Sequence, residues 1–243
     1  NLSLDLINDG HDVYTYEWGG PTFNVKGMDW VIHLGAISST TETNIRKILD
    51  QNITFTIELI EQCIKHGVNL QFASSASVYG GTLGFNENVI PQPLNHYARS
   101  KYLIEQYIKS RNAPITIQAF RYFNVYGPSE DHKGGQASPY TQFRNQAIRT
   151  GKIKVFEGSE HCRRDFIHVS EIIRLHKEFF SIEESDVWNF GTGKVKSFLD
   201  VAKEMAEKYD ADIETIPFPE HLKEHYQYYT CADLTKLKAT LLK

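Results

Sequence analysis

The chain has 243 residues, of which 41% are hydrophobic and 23% charged, and its formal net charge is −4. This length suits one large α/β domain, or one domain with a smaller lobe. No basic block is present, which argues against nucleic acid as a partner. No apolar run approaches the roughly 18 residues that a membrane span needs. We therefore expect no membrane partner. The three cysteines are scattered and form no C-x-x-C pair, a pattern typical of reduced thiols, so we expect a cytoplasmic protein.

Strand and helix signals alternate through the first two thirds of the chain. Apolar spacing predicts helices over 2–9, 41–67 and 95–111, the first two ended by Gly10 and Gly67. Runs of β-branched and aromatic residues predict strands over 12–18, 29–36, 68–74 and 115–123. This alternation predicts an α/β fold with a Rossmann-type, doubly wound parallel sheet.

The pattern loosens after about Gly127, where a loop rich in Gly, Pro and Ser precedes shorter mixed elements. These elements include "KIKVFEG", "RRDFIHV", "SEIIRLHKEFF", "DVWNFGTG" and "SFLDVAKEMAEKYD". We therefore expect a nucleotide-binding core over 1–127 and a smaller C-terminal α/β substrate lobe, mainly 128–243, interleaved with the core.

The segment "YARSK" places Tyr97 and Lys101 one helical turn apart on one face of a predicted helix. A free tyrosine has a pKa of about 10 and is a poor base at neutral pH. A cation within roughly 4–6 Å favours the tyrosinate and lowers that pKa. The pair can therefore take a proton from an alcohol; the alternative is a surface pair on an amphipathic helix.

The segment "SSASVYGG" places Ser74, Ser75 and Ser77 directly after a predicted buried strand. Ligands of open α/β sheets bind beyond the carboxyl ends of the strands. A serine at this point can hydrogen-bond the same substrate oxygen that the tyrosine deprotonates. The alternative, which we favour for Ser74 and Ser77, is that these residues cap a turn.

Five segments occur in the order and spacing of a known family: "HLGA", "SSASVYG", "YARSK", "RYFNVYGP" and "RRDFIHV". In these the chain resembles the extended short-chain dehydrogenase/reductases, the nucleotide-sugar epimerases and dehydratases. The stretches "RYFNVYGPSEDHKGGQAS", "FEGSEHCRRDF" and "IPFPEHLKEHYQYYTCADL" are similar to the branch that acts on ADP-heptose, a precursor of lipopolysaccharide. The resemblance implies a nucleotide-sugar substrate, tightly bound NADP or NAD, epimerisation by transient oxidation and hydride return, and a homo-oligomer.

The resemblance also implies roles for individual residues. Ser75, Tyr97 and Lys101 match the catalytic serine, the tyrosine base and its lysine partner, and Lys133 matches a second acid/base group. The residues expected to contact the cofactor are Glu17, Gly35, Ala36, Ser38, Asn52, Lys101 and Val125. The residues expected to contact the substrate are Ser75, Asn124, Phe156, Glu157, Gly158, Ser159, Arg164 and Tyr226.

Several of these residues have a structural alternative. Asn52 is otherwise a solvent-facing helix residue, and Lys133 a solvated charge in a Gly-rich loop. Arg164 is otherwise a surface ion pair beside Asp165, worth only about 0–1 kcal/mol. Tyr226 is otherwise part of an aromatic edge strand or a core contact. The motif "HLKEH", 221–225, fits the H-x-x-E-H pattern of zinc proteases, but we expect no metal site.

The chain departs from the family at its beginning, because the Gly-rich dinucleotide loop is not in it, and we expect a chain trimmed at both ends. Glu17, at the end of a predicted strand, favours NAD, whereas the heptose branch generally uses NADP, so both stay open. The alternatives are another nucleotide-sugar 4-epimerase or reductase, and a non-catalytic nucleotide-sugar binding protein. A 4,6-dehydratase is disfavoured, because "SSAS" lacks the acidic residues that elimination requires.

Overall fold

The computed structural model describes residues 1–20, 23–82, 84–220 and 227–243. Its helices are α1 (Leu2–Asn8), α2 (Ile45–Ile48), α3 (Phe55–His66), α4 (His96–Ser110), α5 (Pro139–Thr150), α6 (Val169–Glu178), α7 (Phe198–Tyr209) and α8 (Thr235–Leu241). Its strands are β1 (Trp30–His33), β2 (Asn69–Ser75), β3 (Ile117–Tyr122), β4 (Asn124–Tyr126), β5 (Lys152–Phe156), β6 (Arg163–His168), β7 (Val187–Phe190), β8 (Val195–Ser197), β9 (Asp212–Ile216) and β10 (Tyr229–Thr230). Among the described residues, no helix is both long enough and apolar enough to cross a membrane.

The chain forms two compact units. Unit 1 contains Asn1–Tyr122, Ile173–Asn189 and Lys236–Lys243, and unit 2 contains Phe123–Ile172 and Phe190–Thr235. The assignment of a nucleotide-binding core and a substrate lobe to parts of the chain stays a prediction.

The sheet of unit 1 has the strand order β1-β2-β3-β7. β1 runs parallel to β2, and β2 runs parallel to β3. Six consecutive residues of β2, Leu70 to Ser75, are buried, as expected for a parallel strand that is covered on both faces. The predicted α/β fold with a parallel Rossmann-type sheet is confirmed.

Alternating residues of the central strands pack against different helices. Leu70 and Phe72 of β2 lie in one apolar cluster with Ile60 of α3 and Ile104 of α4. The side chain of Gln71, between them, instead contacts His176 of α6. Because successive side chains of a strand point to opposite faces, the sheet is covered on both sides.

One predicted strand is wrong and one predicted helix is modified. Residues 12–18 form no strand, because β propensity yields a strand only where a neighbouring strand supplies hydrogen bonds. The predicted helix over 41–67 begins only at Ile45 and contains a π-helical segment over Leu49–Thr54. It then continues as α3 and stops at Gly67, whose φ of 70° is left-handed.

The described residues of unit 2 form two small sheets. β6 is flanked by β4, β8 and β10, parallel to β4 and β10 and antiparallel to β8. β5 pairs in parallel with β9, and α5 and α7 pack with these strands around an apolar cluster that includes Phe143, Val155 and Val201.

Candidate active site

Tyr97 and Lys101 lie in the first half of α4. Asn95 caps this helix, because its side-chain oxygen accepts a hydrogen bond from the backbone N–H of Ala98 at 2.8 Å. Tyr97 is 8% exposed and Lys101 is 4% exposed. The alternative of a surface pair on an amphipathic helix is therefore wrong.

Ser75 is the last residue of β2, and it faces Tyr97. Its hydroxyl oxygen accepts a hydrogen bond from the backbone N–H of Ser77 at 3.1 Å, which starts a 3₁₀ turn over Ala76–Tyr79. Its side chain lies close enough to the Tyr97 hydroxyl to lower the pKa of that tyrosine, against the effect of burial. The turn is thus capped by Ser75 rather than by Ser74, whose hydroxyl donates to Glu105. Ser75 and Tyr97 are therefore neighbours in unit 1.

Burial sets the ionisation of this pair. Burial raises the pKa of Tyr97, and the nearby Ser75 side chain opposes that rise. Burial also lowers the pKa of Lys101 to about 7. The Lys101 ammonium lies 5.9 Å from the centre of the Tyr97 ring. Lys101 is not among the causes that shift the pKa of Tyr97, so the predicted lowering of that pKa by the Lys101 cation is wrong for this structure; desolvation acts on both side chains instead.

A short loop after β1 is held against α4 by two polar side chains. The Lys101 ammonium donates to the carbonyl oxygen of Gly35 at 3.0 Å. Asn52, buried in the π-helical segment, accepts from the N–H of Ile37 at 2.9 Å and donates to its carbonyl oxygen at 3.1 Å. Its amide also donates to the hydroxyl of Ser100 at 2.9 Å. Asn52 is therefore not a solvent-facing helix residue.

The other predicted cofactor contacts of unit 1 are Ala36, Ser38 and Glu17, and they lie in two different segments of the chain. Ala36 lies in the loop between Gly35 and Ile37, and Ser38 follows it with an exposed side chain. Glu17 is exposed in an irregular segment, where its carbonyl oxygen accepts from the N–H of Gly20. Because 12–18 is not a strand, Glu17 does not stand at a strand end, and that argument for NAD is removed.

In unit 2, Asn124, Val125 and Arg164 lie on adjacent strands. The Asn124 amide donates to the carbonyl oxygen of Asp165 at 3.1 Å, and Val125 pairs with Ile167. The guanidinium of Arg164 donates to the carbonyl oxygen of Arg163 at 3.0 Å and lies 5.6 Å from the centre of the Phe198 ring. Arg164 is 9% exposed, so the alternative of a solvent-exposed ion pair is wrong.

The predicted nucleotide-sugar loop follows β5. Phe156 contacts Phe218 with ring centres 5.4 Å apart, and the N–H of Ser159 donates to the Phe156 carbonyl oxygen at 3.1 Å to close a turn. Gly158 has a φ of 76°, which a residue with a Cβ adopts only with strain. A cavity of about 400 Å³ opens beside this turn, lined by Glu157, Gly158, His161, Cys162, Pro217, Phe218, Glu220 and Tyr228.

Lys133 lies in a 3₁₀ segment over Asp131–Gln136. Its side chain is 45% exposed and its ammonium lies 3.3 Å from a carboxylate oxygen of Glu130. Glu130 is buried and also accepts from the hydroxyls of Ser138 at 2.6 Å and Thr141 at 2.9 Å. Lys133 is thus an exposed cation held by one anchored carboxylate, which is more than a freely solvated charge.

Two predictions fall on residues 221–226. Tyr226 and the "HLKEH" motif both lie outside the described residues, so their roles stay predictions. Of the neighbouring tyrosines, Tyr229 belongs to β10, which pairs with β6, and Tyr228 lines the cavity beside Gly158.

Two buried carboxylates of unit 2 were not predicted from the sequence as site residues. Glu130 anchors Lys133, and its signal was an acid three residues before a lysine in a polar loop. Asp165 is fully buried and accepts hydrogen bonds from Thr192, Gly193 and Ala232. Its partners are far away in the sequence, so no local pattern could reveal them.

A buried serine–tyrosine–lysine group beyond a parallel strand is the site expected of an extended short-chain dehydrogenase/reductase. The sequence model described as "NAD dependent epimerase/dehydratase family" matches residues 21–191. The chain therefore belongs to this family, and the family resemblance that the sequence suggested is confirmed.

The chain is also similar to individual members of this family. The chain is 41% identical over 224 residues to ADP-L-glycero-D-manno-heptose-6-epimerase of Brachyspira hyodysenteriae, an alignment covering 89% of this chain and 70% of that protein. The crystal structure of ADP-L-glycero-D-manno-heptose-6-epimerase of Helicobacter pylori matches with a TM-score of 0.80 and 27% identity, covering 88% of this chain and 66% of that one. UDP-glucose 4-epimerase of Thermus thermophilus, solved with NAD, matches with a TM-score of 0.74 and 25% identity, covering 87% and 71%. The chain thus spans about two thirds of the length of these relatives.

Proposed function

We propose that the protein is a nicotinamide-dependent nucleotide-sugar epimerase that inverts C6 of the heptose of ADP-heptose. The observation that carries the proposal is the burial of Tyr97 and Lys101, one helical turn apart on α4, together with the buried Ser75 at the end of β2. The reaction class is supported by this group, and the sugar by the two heptose epimerases among the relatives.

The first half of the reaction removes a proton from the C6 side-chain hydroxyl of the substrate. Tyr97, as tyrosinate, takes this proton on its Oη atom, and the Ser75 hydroxyl holds the same substrate oxygen by a hydrogen bond. Because burial raises the pKa of Tyr97, the tyrosinate forms only when a cation lies close enough to stabilise it, and Lys101 is the cation of the same helix face.

The residues around Lys101 fit a nicotinamide dinucleotide. The Lys101 ammonium has three N–H donors, and among the described residues it uses one, toward Gly35. A buried ammonium of this kind suits the hydroxyls of a ribose, and the loop with Ala36 and Ser38 would lie beside them. When bound, the nicotinamide supplies the chemistry of accepting a hydride from the sugar carbon and returning it to the other face of the ketone.

Inversion needs a second group that can donate a proton. The re-formed alkoxide has the opposite configuration, so its oxygen no longer occupies the position that it had at Tyr97. We assign this second proton to the Lys133 ammonium, which the family resemblance and the ion pair with Glu130 support. Asn124, Phe156, Glu157, Gly158, Ser159, Arg164 and Tyr226 are proposed substrate contacts, and Val125, Asn52 and Glu17 proposed cofactor contacts.

The test is a conversion assay on the full-length protein. ADP-D-glycero-D-manno-heptose is added without cofactor, and the C6 epimer is followed by NMR; conversion is expected, together with release of NADP or NAD on denaturation. Identification of the released nucleotide decides between these two cofactors. Tyr97→Phe is the negative control, and Tyr102→Phe, on the same helix, is the matched control that should keep activity.

Other outcomes would redirect the proposal. No conversion of ADP-heptose, but conversion of a UDP-hexose, would indicate a 4-epimerase of the same family. Loss of nucleotide-sugar turnover altogether, with retained binding, would favour a binding protein. A cytoplasmic location, supported by the three free cysteines, and a homo-oligomeric state stay predictions.

A further inference from the structure

One face of α4 carries a third buried polar side chain besides Tyr97 and Lys101. Glu105 follows Lys101 by four residues, so the three side chains lie on one face of the helix. Glu105 is fully buried, at 0% exposure. The reaction proposed above gives Glu105 no role. Because a buried carboxylate is costly unless it is paired, its partners indicate why it is there.

Glu105 holds two strands at once. Its carboxylate forms a two-pronged ion pair with Arg121 of β3, with N···O distances of 3.0 and 2.6 Å. The hydroxyl of Ser74, on β2, donates to the same carboxylate at 2.5 Å. Both side chains of the ion pair are almost completely buried, at 1% and 0% exposure.

The contact falls beside the catalytic serine. Ser74 and Arg121 are paired across the β2–β3 ladder, and the next pair in register is Ser75 and Tyr122. Glu105 therefore fixes α4 to the strand residue that directly precedes Ser75. Along α4, Glu105 lies eight residues from Tyr97, about 12 Å at 1.5 Å per residue.

The chemistry of the contact favours a geometric role. A buried ion pair often adds little net stability compared with apolar side chains of similar size, but its hydrogen bonds require one arrangement of the groups. A bidentate arginine–carboxylate pair is strongly directional. A shift of α4 along its axis would break these bonds and would also move Tyr97 away from Ser75.

We propose that Glu105 is a positioning residue, which through Arg121 and Ser74 fixes α4 against the end of β2 and so holds the Tyr97 hydroxyl at Ser75. The inference rests on the proposed function for its effect on turnover, but its effect on Tyr97 itself can be measured without turnover.

The chain contains a matched control. Glu61 of α3 accepts hydrogen bonds from one arginine, Arg111 at 2.6 Å, and one hydroxyl, Tyr107 at 2.5 Å. This ion pair also attaches the end of α4 to its surroundings, but its side chains are about 40% exposed. The double variants Glu105→Met/Arg121→Met and Glu61→Met/Arg111→Met each remove one ion pair and keep the net charge unchanged.

The first measurement is steady-state kinetics of the full-length protein. In the Glu105→Met/Arg121→Met variant, kcat should fall by about tenfold or more, since misplacement of reacting groups by about 1 Å can cost about 100-fold. KM for the nucleotide sugar should stay within about twofold, because the proposed substrate contacts other than Ser75 are in unit 2. The Glu61→Met/Arg111→Met variant should keep both parameters.

The second measurement is the ionisation of Tyr97, read as the ultraviolet difference between each protein and its Tyr97→Phe counterpart during a pH titration. Loss of the Ser75 contact should move the midpoint upward, as Ser75→Ala should also do. If the wild-type protein fails to epimerise ADP-heptose, the proposed function is wrong, and this titration still decides the role of Glu105.

An unchanged kcat and an unchanged Tyr97 midpoint in the folded Glu105→Met/Arg121→Met variant would overturn the inference. If that variant does not fold, Ser74→Ala removes one hydroxyl of the same contact. It should lower kcat and raise the Tyr97 midpoint in the same directions by smaller amounts, and wild-type values for both would overturn the inference equally.

Discussion

The two side chains that we propose to move protons are built in opposite ways. Tyr97 in unit 1 is 8% exposed and lies on a long helix that packs on a parallel sheet. The side chain of Lys133 in unit 2 is 45% exposed and lies in a short 3₁₀ segment of a Gly-rich loop. Burial dominates the chemistry of the first region, and a single anchored ion pair dominates that of the second.

The difference shows two ways of preparing an acid/base group. In unit 1 desolvation raises the pKa of Tyr97 and lowers that of Lys101 to about 7, so changes there should alter ionisation and stability together. In unit 2 burial by itself raises the pKa of Glu130, but hydrogen bonds from Ser138 and Thr141 and the charge of Lys133 outweigh it and lower the pKa. Substitutions there should alter the position of the Lys133 ammonium rather than the stability of the fold.

The largest expected effect is that of Tyr97→Phe. Removal of the hydroxyl should lower kcat by about 10³–10⁴-fold, the upper range for a positioned acid/base group. Single-turnover mixing should show no change in nicotinamide absorbance at all, because the first proton is not removed. A variant that still oxidises the sugar at the wild-type rate would disprove the role of Tyr97.

Lys133→Met should lower epimerisation by about 10²–10³-fold. The loss is smaller than that of Tyr97→Phe because the site is exposed, so water can donate the proton in place of Lys133, though less efficiently. Unlike Tyr97→Phe, it should retain the transient absorbance change of sugar oxidation. Lys154→Met, which removes a cation from an exposed position of β5, is the control. Retained epimerisation in Lys133→Met would show that a second base is not needed there.

Lys101→Met should lower kcat yet stabilise the nucleotide-free protein. Below pH 7 the Lys101 ammonium is charged in both the folded and the unfolded state. The cost of desolvating this charge then destabilises the folded state in full. Between pH 7 and about 10 the unfolded chain binds more protons, so wild-type stability rises with pH. The gain in free energy of unfolding should be a few kcal/mol at pH 6, since one pKa unit corresponds to about 1.4 kcal/mol, and should shrink toward pH 10. Urea unfolding across this range measures it; a gain that is independent of pH would contradict the shifted pKa.

The smallest expected effect is that of Glu130→Gln. The loop keeps its size, but Lys133 loses its ionic partner, and kcat should fall by about tenfold, a part of the contribution of Lys133. Asp131→Asn, which removes an exposed carboxylate beside Arg144, should be near wild type. Equal losses in the two variants would indicate a general disturbance of the loop.

The sequence by itself determined the elements whose pattern is local. The apolar run 68–74 became β2, and the helix signal over 95–111 became α4 with Tyr97 and Lys101 on one face, because strand and helix periodicities are properties of short segments. The order of these elements also predicted the parallel sheet, and the motifs predicted the family.

Only the tertiary structure decided which polar residues are buried and what they contact. The aromatic run 12–18 has strand propensity but forms no strand, since a strand depends on a partner that its own residues do not encode. Asn52 forms hydrogen bonds with Ile37 and Ser100, which are 15 and 48 residues away in the sequence. Glu105 forms hydrogen bonds with Arg121 and Ser74, which are 16 and 31 residues away. The pKa of Lys101 likewise depends on desolvation by side chains that are distant in the sequence and adjacent only after folding.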